Sequence, residues 1–198
     1  MSTEIQKHIK PAFLLFVVMA LLTGIIYPMA VTKLAQLLFP WQANGSFIEH
    51  GGRKLGSVLI GQAFSDPKYF WGRPSATSRF PYNATASSGS NSGLSNPDYL
   101  ALVKNRITHF TQNPSSTTLI PIDLITASGS GLDPDISPEA AYFQVARIAS
   151  ARGLSEAALN LMIEQAIKLE ASDILGNPRV NVMQLNLILD NRIAGARK

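Results

Sequence analysis

The side chains best suited to chemistry are sparse and poorly grouped. His8, His50 and His109 stand apart with no HExxH spacing, so nothing in the sequence builds a catalytic zinc site. Ser65 and Lys68 form an SxxK pair, but neither SDN nor KTG occurs elsewhere to supply the rest of such a hydrolase. The run ASGSGLD, Ala127 to Asp133, has glycines like a phosphate-cradling loop but lacks the lysine that reaches a β- or γ-phosphate. Its glycines are read as turn formers. Asp133, Asp135 and Ser137 alternate like the first half of a calcium loop, yet Pro138 stands where glycine is required and Gln144 where the closing acid belongs. Acidity at a helix start, where negative charge is favoured, is the simpler reading of Asp135 and Glu139. Asn83 to Thr85 is a glycosylation triplet of a kind this composition produces by chance. Gln144 is more telling. Three residues after Ala141 and four before Ile148, it lies on or beside an apolar helix face, where an amide needs partners from within the chain, from a ligand or from another subunit.

These residues must be positioned by a chain of 198 residues, enough for one main core. Only 15% of residues are charged and 46% are hydrophobic, so part of the chain avoids water. Cysteine is absent, which excludes disulfides, thiolate metal sites and thiol nucleophiles. The net charge of +4 is scattered, with no basic run interleaved with aromatics, so nucleic acid is not a partner.

From Pro11 to Thr32 no side chain is charged, and the stretch is long enough to cross a bilayer as a helix. A cleaved signal peptide fits less well, because Pro28 and Lys33 spoil the small-residue pattern before Ala30 and Ala35. Residues 1–10 are then a cytoplasmic N-terminus, 11–32 the transmembrane helix and 33–198 an extracytoplasmic, periplasmic domain, since Lys7 and Lys10 precede the span and only Lys33 closely follows it. Ala20 and Gly24 share a helix face with Thr23 beside them and Tyr27 next along, a small surface for a partner helix. Pro28 is expected to kink the helix.

The expected fold class is α+β: one membrane helix followed by a small mixed helix and strand domain. A turn spans Asn44 to Gly52, and Gly56 to Phe64 reads as a strand. Asp66 to Pro97 has the composition of a mobile loop, but Tyr69, Phe70, Trp71, Phe80 and Tyr82, with Arg73 and Arg79 among them, are the residue types of a docking surface. Helices are expected from Pro97 to about Thr111, from Ser137 to a stop at Gly153, from Ser155 to about Ala171, and from Asn181 to Arg192. Leu119 to Thr126 reads as an edge strand, demoted by Pro121.

Several longer stretches carry a resemblance. FPWQANGS (Phe39 to Ser46), GSVLIGQAF, YFWGRPSATS (Tyr69 to Ser78), PYNATASSGSN (Pro81 to Asn91), TASGSGLD (Thr126 to Asp133), ARGLS around Arg152 and PRVNVMQLNLILD (Pro178 to Asp190) together resemble the C subunit of the Kdp potassium-transporting P-type ATPase, over nearly the whole chain. The resemblance implies an accessory, non-catalytic subunit in a bacterial inner membrane, beside a channel-like potassium-translocating subunit and an ATP-hydrolysing one. It agrees with the lack of a DKTG phosphorylation motif. It further implies a catalytic chaperone that raises the ATP affinity of the hydrolysing subunit, with no tightly bound cofactor and ATP associated through that partner. With the domain outside, direct nucleotide contact by Gln144 or the Ala127–Gly131 loop would need the opposite orientation. Assembly and stabilisation are therefore the favoured role, with Tyr69, Phe70, Arg73, Tyr82 and Asn91 expected to dock the loop on the channel-like subunit. The alternative is a membrane-anchored extracytoplasmic binding protein or enzyme.

Overall fold

The computed structural model describes residues 2–50, 52–112, 119–168 and 176–190. It divides into two units, Met1–Phe47 and Ile48–Lys198.

The first unit is helical. α1 (Ser2–Leu21) passes into a π-helical turn (Leu22–Ile26), then α2 (Tyr27–Leu38) and a short α3 (Pro40–Ala43). Lys7–Leu38 is long and apolar enough to cross a membrane, and none of its most apolar stretch is buried within the chain. Its 32 residues extend about 48 Å at 1.5 Å each, against a hydrocarbon core of about 30 Å. The helix therefore reaches beyond the stretch 11–32 at both ends and runs through Pro11. Where a kink is expected at Pro28, the helix has a π turn just before the proline. Proline has no N–H to bond the carbonyl of Gly24 and its ring pushes that carbonyl away, and the Tyr27 N–H bonds Leu22 O one residue further back than in an α-helix. After α3, Trp41 Nε1 donates to Phe47 O at 3.0 Å and closes the end of this unit.

The second unit is mixed. β1 (Phe47–His50) pairs with β2 (Arg53–Ser57), so part of the stretch read as a turn before Gly52 is strand. The strand expected over Gly56–Phe64 ends at Ser57. There the serine hydroxyl accepts from Leu59 N at 3.1 Å, and Ile60 N bonds Ser57 O, turning the apolar run out of the ladder. The chain then proceeds without regular structure, apart from one 3-10 turn (Ala84–Ala86), to α4 (Pro97–Gln112), whose start is capped by Asn96 Oδ1 accepting from Asp98 N and Tyr99 N. Leu119–Thr126 forms no strand. Pro121 and the bonds from Leu124 N to Pro121 O and from Thr126 N and Oγ1 to Ile122 O close a 3-10 turn over Ile122–Leu124.

A second sheet has the order β3 (Asp135–Ile136), β5 (Arg179–Asn181), β4 (Ile167–Lys168), all antiparallel, with Ile136 and Ile167 both opposite Val180. Around it lie α5 (Pro138–Phe143), α6 (Val145–Arg152), α7 (Glu156–Ala166) and α8 (Val182–Leu189). Ser137, Ser155 and Asn181 cap α5, α7 and α8 through their side-chain oxygens, and Gly153 ends α6 at φ +65°. The one helix expected from Ser137 to Gly153 is two, broken at Gln144. α7 stops at Ala166 rather than Ala171, because Ile167 and Lys168 pair with β5 instead; residues 169–175 lie outside the described residues, as does Arg192. Phe70, Leu124, Ile148, Leu159, Ile163, Val180 and Leu185 are the fully buried centre.

Candidate functional site

The densest polar construction in the second unit holds the irregular segment from Asp66 to Arg73. Such a segment has no strand beside it, yet its buried backbone groups must be paired. Side chains do the pairing. Asn186 of α8 accepts from Phe70 N at 2.8 Å through Oδ1 and donates to Phe70 O at 2.9 Å through Nδ2. Gln144, at the break between α5 and α6, treats the next residue alike: Oε1 accepts from Trp71 N at 2.8 Å, and Nε2 donates to Trp71 O and Ala140 O, both at 3.1 Å. Two amides from two helices thus stand in for neighbouring strands.

Arg147, one helical turn after Gln144, completes the clamp. Its guanidinium donates to Pro67 O, to Tyr69 O at 3.0 Å and to Gln144 Oε1 at 2.6 Å, and lies 3.7 Å from the centroid of the Trp71 ring. Burial pushes its pKa down to about 10, with the Asp66 carboxylate opposing the shift, so it stays charged at neutral pH. Arg152 donates to Lys68 O at 2.7 Å and pairs with Asp190 at 2.6 Å, and Asp190 also accepts from Tyr69 OH at 2.8 Å. The loop expected to be mobile is therefore fastened along its first eight residues.

Further along, two serine- and glycine-rich runs are joined by serine hydroxyls on backbone carbonyls. Ser75 Oγ donates to Gly131 O at 2.7 Å, and Ser87 Oγ to Ser130 O at 2.9 Å. Gly131 has φ +67°, and a Cβ there would stand 2.6 Å from Ser88 O, so both conformation and space require glycine. Gly61 is similarly confined, by the Tyr82 ring.

Of the residues expected to dock this loop, most look inward. Phe70 has no exposed surface. Tyr69 is bound to Asp190. Tyr82 donates its hydroxyl to Arg73 O at 2.6 Å, and burial pushes that phenol up to about 12. Asn91 is exposed, in the left-handed region at φ +49°. Arg73 pairs with Asp133 at 3.0 Å, both side chains about a quarter exposed. Gln144 is 1% exposed and its amide is saturated within the chain, so it has nothing left to offer a nucleotide. In the membrane helix, Thr23 Oγ1 donates to Met19 O at 2.7 Å, while a Cβ on Gly24 would meet nothing within 4 Å. Ala20 and Tyr27 are exposed. Arg147, Arg152 and Asn186 are not among the site residues expected from the sequence, where Arg152 and Asn186 enter only within the family-like stretches, although a cation three residues after Gln144 and an amide inside the apolar run of α8 are the same signal that marks Gln144.

Arg73 tests which kind of loop this is. Arg73→Ala is expected to lower the melting temperature of the full chain in detergent by at most about 2–4 °C, because a partly exposed pair contributes about 1 kcal/mol or less. An unchanged melting temperature together with lost assembly would instead make Arg73 a partner contact.

An open cleft of about 1160 Å³ lies over Ile120–Asp123, Ile136 and Tyr142. Its charges are largely paired: Arg73 with Asp133, Arg179 with Asp135 at 3.0 Å, while Asp123 accepts from Ser137 N and Oγ. Among the described residues no three His, Cys, Asp or Glu side chains form a group that could hold a metal ion.

The polar groups of this chain thus serve mainly to hold the chain itself, and its place among known proteins agrees with a subunit. The family described as "K+-transporting ATPase, c chain" matches residues 9–191. A potassium-transporting ATPase KdpC subunit of Methylococcus capsulatus is 54% identical over 93% of this chain and 97% of its own length. Those of Herpetosiphon aurantiacus and Variovorax paradoxus are each 52% identical, over 93% and 92% of this chain and 96% and 95% of theirs. With a match over nearly its whole length and half its residues shared with each of these proteins, the chain belongs to the family of K+-transporting ATPase c chains.

Proposed function

We propose that this chain is the accessory subunit of an ATP-driven potassium uptake pump and acts by assembly. Its membrane helix packs against the channel-like and ATP-hydrolysing subunits, and its second unit stands on the extracytoplasmic side. Any effect on the ATP affinity of the hydrolysing subunit is transmitted through that assembly, without direct nucleotide contact by this chain. The observation that carries the reading is the membrane helix itself: wholly unburied within the chain, and widened into a π turn at Leu22–Ile26 beside the open surface of Gly24. A π turn is a feature often kept at functional positions, and small residues let a second helix approach where apolar burial gives no drive.

Gly24→Leu fills that surface. Recovery of the other pump chains with this subunit is expected to fall about tenfold, which is about 1.4 kcal/mol of association. Undiminished recovery would remove the helix-face argument. Phosphoryl label on this chain after ATP exposure would remove the accessory reading altogether.

A further inference from the structure

From Pro67 to Pro97 the chain contains no aspartate or glutamate and three cations. Lys68 pairs with Asp66 at 3.1 Å and Arg73 with Asp133 at 3.0 Å. Arg79 forms no ion pair or hydrogen bond among the described residues, and it is exposed. Beside it Phe80 is 57% exposed, the one large apolar side chain so exposed between Leu59 and Leu94. We infer that Arg79 and Phe80 are a preformed anchor for another chain of the pump, one that offers a carboxylate beside an apolar recess; the inference rests on the assembly role proposed above.

The anchor is held from beneath. Thr77 Oγ1 donates to Phe80 O at 2.7 Å and accepts from Asn83 N at 3.1 Å. Asn83 Nδ2 donates to Ser78 O at 3.1 Å, and Tyr82 N donates to Ser75 Oγ at 2.9 Å. These bonds hold Arg79 at φ +72° and Tyr82 at φ +58°, a region bulky residues rarely adopt. The turn is rigid before any partner arrives, so little side-chain and loop freedom is lost on binding. Arginine and aromatic residues are the usual energetic centres of protein interfaces, and the small uncharged residues from Ala84 to Ser92 let a partner backbone come close. A lipid surface fits less well, since it is held by clusters of basic residues and several apolar side chains, and this tip has one of each.

Arg79→Gly separates a partner role from an internal one, because glycine suits φ +72° and removes only the side chain. The melting temperature of the full chain in detergent is expected to hold or rise, while recovery of the other pump chains at low salt, where a pair with a carboxylate is least screened, falls about tenfold. In the assembled pump in membranes, a photoreactive benzophenone side chain in place of Phe80 is expected to label one of those chains. Recovery at the unsubstituted level, or labelling of lipid alone, overturns the proposal. If the unsubstituted chain itself recovers no other pump chain, the assembly role fails and this inference with it.

Discussion

Arg147→Ala is expected to destabilise the chain by about 3 kcal/mol, lowering its melting temperature by roughly 6–12 °C at the 2–4 °C per kcal/mol usual for this length. The guanidinium serves three oxygens, of Pro67, Tyr69 and Gln144, and covers the face of Trp71. Removing it leaves one buried acceptor, Gln144 Oε1, with Trp71 N alone and two part-buried carbonyls short of a donor, at about 1–3 kcal/mol for each that water does not reach, and uncovers an aromatic face that stacking had favoured by about 1 kcal/mol. Relief from burying a cation, the cause of the depressed pKa, offsets part of this. Arg147→Met keeps the aliphatic packing and should recover little, since the donors are the larger contribution. Arg147→Lys should recover some, because one ammonium reaches one or two oxygens but cannot span the fork. A loss below about 1 kcal/mol for the alanine variant, read by thermal unfolding of the full chain in detergent, would mean that the segment Asp66–Arg73 is held by packing alone.

Asn186→Leu is expected to cost about 2–6 kcal/mol, since it strands the N–H and the C=O of a fully buried Phe70 at about 1–3 kcal/mol each. Leucine has nearly the shape of asparagine, so the loss measures the polar pairing rather than a cavity. Asn186→Asp makes a second, signed test. A carboxylate accepts from Phe70 N but faces Phe70 O without a donor, while the protonated acid does both. Burial raises the pKa of that acid in the folded state above its unfolded value, since Arg147 and Arg152 are already engaged by Tyr69, Gln144, Leu189 and Asp190. The folded variant thus binds more protons than the unfolded chain between those two pKa values, and its deficit relative to the unsubstituted protein shrinks as pH falls through that window. A deficit independent of pH would show that the hydrogen bonds at Phe70 contribute little.

These two variants probe the part of the site that was least visible in the sequence. Gln144 was legible as an amide on an apolar helix face, and its internal partners were one of the readings that position allowed. Which partners it had was not legible. Trp71 lies 73 residues earlier, and Asn186 reaches Phe70 across 116. The aromatics of the loop resemble surface residues by sequence, because serines and glycines flank them. The helices instead supply side-chain amides and guanidinia in place of a ladder, so Phe70 and Trp71 enter the core while Arg79 and Phe80, in the same composition, stay out. The turn at Ser57 and the 3-10 turn at Pro121 have the same lesson on a smaller scale: a hydroxyl or a fixed φ diverted apolar runs that by residue type alone favour strands.

What the sequence by itself determined are the features whose causes lie within a few residues. The membrane helix follows from an uncharged apolar stretch that has no other favourable solvent. The starts of α4, α5, α7 and α8 follow from Asn96, Ser137, Ser155 and Asn181, each of which satisfies N–H groups two or three residues ahead, and the end of α6 from Gly153, which tolerates φ +65°. Only the tertiary structure decided where α5 and α6 break, that Ile167 and Lys168 leave α7 for the sheet, and which loop cations are neutralised inside the chain. Each of these depends on a partner far away in sequence: Trp71 for Gln144, Val180 and Arg179 for β4, Asp133 for Arg73. No local periodicity encodes such a partner, because the free energy that selects it appears only when both groups have left water together.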